Sequence, residues 1–274
     1  MTRRLRLDAE LVRRGLARSR EQAGDLVAQG RVLVAGARAA KPATAVTTDV
    51  ALVVRPPPDP EAVDYVSRGG HKLAGALAAL PELVVRGRRC LDAGASTGGF
   101  TDVLLRAGAR QVLAVDVGYG QLAWSLRRDP RVVVHDRTNV RDLVPAAVGE
   151  PVELVVGDLS FIPLRLVLPA VAALTRPDGD LLMMVKPQFE VGRERLGRGG
   201  VVRDPALRVE AVRAVADVAA GLGWGTRAVT ASPLPGPAGN VEYFLWLRRD
   251  APAPDDAAVR TAVSQGPEGE RLTR

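Results

Sequence analysis

From Arg88 onward, short apolar runs alternate with segments whose apolar residues recur every three or four positions. Such runs read as buried strands, and the spaced segments as amphipathic helices. The pattern predicts strands at 88–91, 111–115, 132–134, 152–156 and 181–185, then 226–230 and 241–247. Helices fall between them. One covers 164–174 and is followed by a turn at Pro177-Asp178-Gly179; another covers 207–220, bounded by Gly221 and Gly223. Repeated strand and helix predict a doubly wound α/β domain. Residues 192–204 have no period and read as a mobile loop. Upstream, Leu5, Leu7, Leu11, Val12 and Leu16 predict a helix, with Gly15 marking its end. Ser19 is placed to cap a second helix that carries Ala23, Leu26 and Val27 and stops at Gly30. Short strands are expected at 32–34 and 50–54. Pro56-Pro57-Pro58-Asp59-Pro60 reads as a stiff linker. Ser67 or Gly69 can cap a helix through Leu73, Leu77 and Leu80. The polar, Pro-containing stretch from Ala251 is expected to be disordered. The resulting division is a small α+β module at 1–58, a linker at 59–68, an α/β domain at 69–250 and a tail at 251–274.

Composition sharpens this picture in two places. The 274 residues carry a formal charge of +7, with 38 basic residues of which only Lys41, Lys72 and Lys186 are lysines. A lysine amine can exchange a proton near neutrality and a guanidinium cannot, so each surviving lysine is a candidate for chemistry. The first 60 residues hold eleven basic and six acidic side chains, so most of the excess charge sits there. Arginines gathered around one helix pair suit phosphate contact, or form a solvated face. The single cysteine, Cys90, excludes a disulfide framework and a Cys-rich zinc site. No apolar run reaches the roughly 18 residues of a membrane span. The start Thr2-Arg3-Arg4 is basic but leads into no apolar signal core. A cytoplasmic protein with a nucleic-acid partner is expected.

The first strand of the α/β domain runs into Leu91-Asp92-Ala93-Gly94-Ala95-Ser96-Thr97-Gly98-Gly99-Phe100-Thr101. A strand, a small-residue turn and a helix start form a cradle for a nucleotide-like ligand. The spacing is neither G-x-G-x-x-G nor a P-loop. An Asp ahead of the turn suits a neutral or cationic nucleoside, and S-adenosylmethionine is the candidate cofactor. Asp92, Asp116, Asp158 and Lys186 all fall at predicted strand ends, where open α/β sheets collect their chemistry. Asp116 either accepts from ribose hydroxyls or faces solvent. Asp158 and Lys186 suit a buried ion pair. Glu242, inside an apolar strand, is paired, functional or at a solvated edge. His71 has no second ligand at metal spacing, so no metal is expected.

Two resemblances add to this reading. Arg6-Leu7-Asp8, Leu11-Val12, the run Gly15 to Ala23 and the run Gly30 to Gly36 resemble the alpha-L RNA-binding domain of a small-subunit ribosomal protein and some pseudouridine synthases. That likeness implies RNA contact through Arg4, Arg6, Arg14, Arg18, Arg20, Arg31, Lys41 and, beyond the module, Arg68. The segments Tyr65 to Leu73, Asp92 to Thr101, Gly157 to Ile162, Val185 to Glu190 and Gly239 to Glu242 resemble the hemolysin-A-type (TlyA), FtsJ-like rRNA 2'-O-methyltransferases. The likeness implies a Rossmann-like class I methyltransferase fold and a catalytic set of Lys72, Asp158, Lys186 and Glu242. Asp92, Gly94, Ala95, Ser96, Gly98, Phe100, Asp116, Asp136 and Asn139 are then expected around S-adenosylmethionine. The implied substrate is cytidine ribose in rRNA of the 30S or 50S subunit, or both, with a monomeric enzyme and no role for DNA or membrane. Tyr65 stands where many members carry Trp, so a weaker or differently arranged coupling of RNA docking to cofactor binding is expected. Nothing in the sequence supports membrane lysis. Two other readings compete: an inert RNA-binding assembly factor, and a base methyltransferase, whose Asn/Asp-Pro-Pro-aromatic motif is missing after strand four.

Overall fold

The computed structural model describes residues 4–56 and 63–267, and the chain divides into two units, Met1–Arg68 and Gly69–Arg274. Most of the proline-rich stretch, 57–62, lies outside the described residues.

In the first unit, β1 (Arg4–Arg6) pairs antiparallel with residues 45–47, and Leu5 stands opposite Val46. The expected first helix is therefore shorter at its start: α1 (Leu7–Arg13) begins only after Leu5 has been taken into the ladder. Next, α2 (Arg20–Ala28) opens on Ser19, whose hydroxyl accepts from the Gln22 amide at 3.1 Å, the cap its sequence foretells. β2 (Val32–Val34) lies between β3 (Ala37–Arg38) and β5 (Leu52–Val54), and β4 (Ala45–Thr47) completes the β1 ladder. Leu7, Leu11, Ala23, Leu26, Val27, Val32 and Val46 form the core.

In the second unit, α3 (Gly69–Ala79) precedes β6 (Arg89–Ala93), α4 (Gly99–Arg106), β7 (Gln111–Val115), α5 (Trp124–Arg127) and β8 (Val132–His135). Then follow α6 (Pro145–Val148), β9 (Val152–Gly157), α7 (Leu168–Leu174), β10 (Thr175–Val185), α8 (Pro187–Glu190), α9 (Pro205–Gly221), β11 (Gly225–Ala231), β12 (Tyr243–Arg248) and α10 (Asp256–Ser264). The seven strands lie in the order β11-β12-β10-β9-β6-β7-β8. The run from β8 to β10 is parallel, and β12 pairs antiparallel with both neighbours. Strand order reverses beside β6, where doubly wound sheets open a crevice at the carboxyl ends.

Three local expectations are corrected. Pro177-Asp178-Gly179 falls inside β10 rather than ahead of it: Thr175 stands opposite Val152 and Asp180 opposite Leu154, so residues 176–179 loop out of the ladder. Asp180, wholly buried, anchors that irregularity by accepting from the Trp246 indole at 2.7 Å and from Arg88. Residues 192–204 are tied down. Val202 is buried, its amide donates to Asn240 Oδ1 at 2.9 Å, and Asn240 Nδ2 donates to the Gly200 carbonyl at 3.0 Å. The tail is not disordered throughout. α10 is capped by Asp255 and buries Val259, Ala262 and Val263, of which Val259 and Val263 join the main core, a stripe too short to stand out among small residues. Residues 268–274 lie outside the described residues.

Candidate active site

The carboxyl ends of β6, β7, β9 and β10 carry the site. After β6 the chain turns at Gly94, whose amide, with that of Ala95, donates to the Val115 carbonyl. Gly94 has φ +85°, and a Cβ there would lie 2.8 Å from the Asp158 carbonyl oxygen. Only glycine lets these two backbones approach so closely. Ser96 shares the left-handed region with φ 47°. Asp116 follows β7 and accepts the Ser96 amide at 2.8 Å and the Gly118 amide at 2.7 Å, one on each carboxylate oxygen. Each oxygen keeps a further lone pair. Gly94, Ser96, Asp116, Gln121, Asn139 and Asp158 line part of a cavity of about 480 Å³. That volume falls in the range of small-molecule sites.

Beside the cavity, two ion pairs are made from the two lysines that sequence marked. Lys186 sits between the last β10 residue and the Pro187 that opens α8. Its Nζ lies 2.6 Å from Asp158 Oδ1 and donates to Ser160 Oγ at 2.8 Å. Lys72, on the inner side of α3, donates to Glu242 Oε2 at 2.6 Å, and both groups are buried. Glu242 stands just ahead of β12 rather than within it, where its carbonyl accepts the Ser232 amide. Each pair sets an amine against a carboxylate at a place where either group left alone would be costly.

The expected cofactor residues separate into two groups. Gly94, Ser96, Asp116 and Asn139 lie on the cavity wall; Asp92, Ala95, Gly98, Phe100 and Asp136 do not. Phe100 is buried and stacks on Phe244 at 6.0 Å between ring centroids, so it belongs to the core. Gly98 (φ +100°) precedes α4 beneath Leu122 and Leu126. Asp136 is engaged by Arg127 and by the Gly120 amide. Asp92 lies wholly under the turn; its Oδ2 accepts from Thr101 at 2.7 Å, Oδ1 has no partner, and burial pushes its acid up to about 7.

Of the expected RNA contacts, Arg14 turns inward, donating to Glu10 and to the Thr48 and Val50 carbonyls. Arg6 and Arg20 both hold Asp8, Arg18 pairs with Asp64, and Arg31 donates to the Arg55 carbonyl; the Arg6, Arg18 and Arg20 side chains remain exposed. Arg4 and Lys41 are exposed, and Arg68 is half-buried at the end of the unit. Ser160 and Phe161 lie in the Gly157 to Ile162 segment that carries the family resemblance, but neither is expected as a site residue from sequence. Phe161 is 90% exposed, adopts φ 65°, lines the cavity and meets the Phe189 ring at 5.3 Å. An aromatic just past a strand reads as core, and only the left-handed turn brings it out.

A loop-cradled cavity at the strand-order reversal, flanked by two lysine–carboxylate pairs, defines a Rossmann-like group-transfer enzyme. The FtsJ-like methyltransferase family model matches residues 65–249, and the S4 domain matches residues 5–51. The 16S/23S rRNA (cytidine-2'-O)-methyltransferase TlyA of Mycobacterium tuberculosis is 59% identical over 272 residues, covering 97% of this chain and 100% of that protein. The 23S rRNA (cytidine-2'-O)-methyltransferase TlyA of Campylobacter jejuni is 35% identical, covering 66% of this chain and 70% of its own length. A solved structure of a hemolysin-named protein from Streptococcus thermophilus is 37% identical with a TM-score of 0.76, covering 97% and 96% of the two chains. The chain belongs to the FtsJ-like methyltransferases and, within them, to the TlyA rRNA (cytidine-2'-O)-methyltransferases.

One prediction arises from the turn itself. Gly94→Ala places a methyl in conflict with the Asp158 backbone and asks a non-glycine residue to hold a left-handed conformation, which costs about 1–2 kcal/mol. Binding of S-adenosylmethionine, measured by titration calorimetry, is expected to weaken by about tenfold or more. Unchanged affinity would mean that the turn is not the cradle.

Proposed function

We propose that the protein transfers the methyl group of S-adenosylmethionine to ribose 2'-hydroxyls of cytidines in rRNA, in the 30S subunit, the 50S subunit or both. The observation that carries this is the Lys186–Asp158 pair on the rim of the cavity. When bound, S-adenosylmethionine supplies an electrophilic methyl. Gly94, Ser96, Asp116 and Asn139 would hold it, with the Asp116 lone pairs available to ribose hydroxyls. The target hydroxyl is a weak nucleophile and needs its proton removed as it attacks. In its amine form Lys186 takes that proton, and the ammonium so formed meets the Asp158 carboxylate 2.6 Å away. Lys72, held by Glu242, steers the same oxygen. Phe161 offers an exposed ring on which an unstacked base can rest.

The first unit docks on structured rRNA through Arg4, Arg6, Arg18, Arg20 and Lys41. Anchoring of Arg6 and Arg20 on Asp8 presets their guanidinium groups for phosphate. The enzyme acts as a monomer in the cytoplasm; no described helix is long and apolar enough to cross a membrane. The test is incubation of the protein with isolated 30S and 50S subunits and labelled S-adenosylmethionine. Nuclease digestion and mass spectrometry then locate any 2'-O-methylcytidine. A labelled base, or no transfer by protein that binds the cofactor, would overturn the proposal.

A further inference from the structure

Ser160 is a small hydroxyl residue in the loop after β9, and it lines the cavity beside Asp158. Its Oγ accepts from Lys186 Nζ at 2.8 Å, while Asp158 Oδ1 stands 2.6 Å from the same nitrogen. We propose that Ser160 is a positioning residue for Lys186, and that it aims the lysine's lone pair at the substrate hydroxyl. The inference rests on the methyl-transfer reading given above.

The directions open at the nitrogen decide its role. Beyond its bond to Cε, Nζ has three tetrahedral positions. In the amine form two carry N–H and one carries the lone pair that must receive the 2'-hydroxyl proton. Ser160 Oγ is the acceptor to which Nζ donates, and it fixes one N–H. Asp158 Oδ1, 2.6 Å away but outside hydrogen-bond geometry, draws the second N–H to its side by charge alone. Without Ser160 the hydrogens and the lone pair can exchange positions; with it, the lone pair is left the third. The balance is simple: the 2'-oxygen bonds the methyl, whose bond to the cofactor's sulfur would break and leave its electron pair on a neutral thioether, and the 2'-hydrogen passes to Nζ, which becomes an ammonium that donates to Ser160 and the new ether oxygen and faces the Asp158 carboxylate. Ser160 itself gains and loses nothing. It needs only an oxygen at its present place, which threonine also supplies and alanine does not.

Composition makes the test clean, because the chain has only three lysines. Wild type, Ser160→Ala and Ser160→Thr are compared in single-turnover methylation of ribosomal subunits at saturating S-adenosylmethionine. Cofactor affinity is measured in parallel. Ligand-free protein is also pulsed with acetic anhydride and the acetylation of each lysine read by mass spectrometry, with exposed Lys41 as the internal reference. The expected result is a rate about tenfold lower for Ser160→Ala, as for a misdirected reacting group, with Ser160→Thr recovering most of it. Cofactor affinity stays unchanged, and Lys186 acetylates faster in Ser160→Ala while Lys72 does not. A Ser160→Ala enzyme as fast as wild type overturns the assignment. So does a threonine variant as slow as alanine, or a parallel rise at Lys72, which would mean that the site has come apart. Wild type that binds the cofactor but methylates neither subunit would instead sink the methyl-transfer reading, and this inference with it.

Discussion

Lys186→Ala is expected to lower single-turnover methyl transfer by a factor on the order of 10³, the range lost with a general base. The effect is this large because the nitrogen has no understudy. Lys72 is committed to Glu242 at 2.6 Å, and every other basic side chain in the second unit is an arginine or His71 or His135. Alanine also strips Asp158 of its partner. That carboxylate is one-fifth exposed, so water can compensate in part and the fold should survive. Lys186→Arg separates the two effects. It keeps a cation beside Asp158 and so should restore stability, yet a guanidinium cannot give up its proton at any working pH. The arginine variant should therefore melt like wild type and remain inactive. Near-normal transfer by a folded Lys186→Arg protein would remove Lys186 from the role of base.

The second large effect concerns stability. Asp92 is wholly buried, with one oxygen on Thr101 and the other without a partner. Burial raises its acid from an ordinary 3.8 to about 7, the Thr101 hydroxyl opposing in part. The folded state therefore holds this proton across a window in which the unfolded chain releases it. The stabilisation is complete below about 4, is lost progressively as pH rises toward 7, and does not change further above that. Roughly three pKa units correspond to about 4 kcal/mol. Asp92→Asn removes the slope, since an amide does not titrate. Urea unfolding of the second unit's transition at pH 5 and pH 8 should show wild type weakening by a few kcal/mol and Asp92→Asn nearly level in this interval. The amide brings an N–H to the side that lacked a partner, so its absolute stability gains less than its slope suggests. An equal slope in both proteins would show that Asp92 is ionised throughout. The first unit moves oppositely. Arg6 and Arg20 hold Asp8, and Arg13 and Arg14 hold Glu10, both down to about 2. That stabilisation is present above about 4 and disappears as pH falls toward 2.

Much of the α/β unit could be read from the chain because buried parallel strands are short, apolar and terminated by charge. Leu91-Asp92, Val115-Asp116, Gly157-Asp158 and Val185-Lys186 each show that break. Lys72 and Lys186 stand out by the scarcity of lysine in the chain, and both are ion-paired in the structure. What could not be read depends on contacts distant in sequence. Phe100 packs on Phe244, 144 positions away by their numbers, and so belongs to the core rather than the cavity. Arg14 looks like any surface arginine until the 48–50 carbonyls fold onto it. Nothing local to Ser160 says that Lys186 will arrive 2.8 Å away. The Pro177-Asp178-Gly179 turn lies within β10 instead of before it, because Thr175 pairs with Val152 ahead of the turn and Asp180 is held beyond it by Trp246 and Arg248 on β12.

The Lys72–Glu242 contact joins residues 170 positions apart, and the second of them arrives only with the last strand, which inserts between β10 and β11. On the ribosome, a nascent chain stopped anywhere before residue 242 holds Lys72 without its counter-charge and leaves β10 and β11 without the strand between them. Biosynthesis therefore offers no partially competent product. Premature termination anywhere before residue 242 should leave a species without catalytic capacity and open to proteolysis.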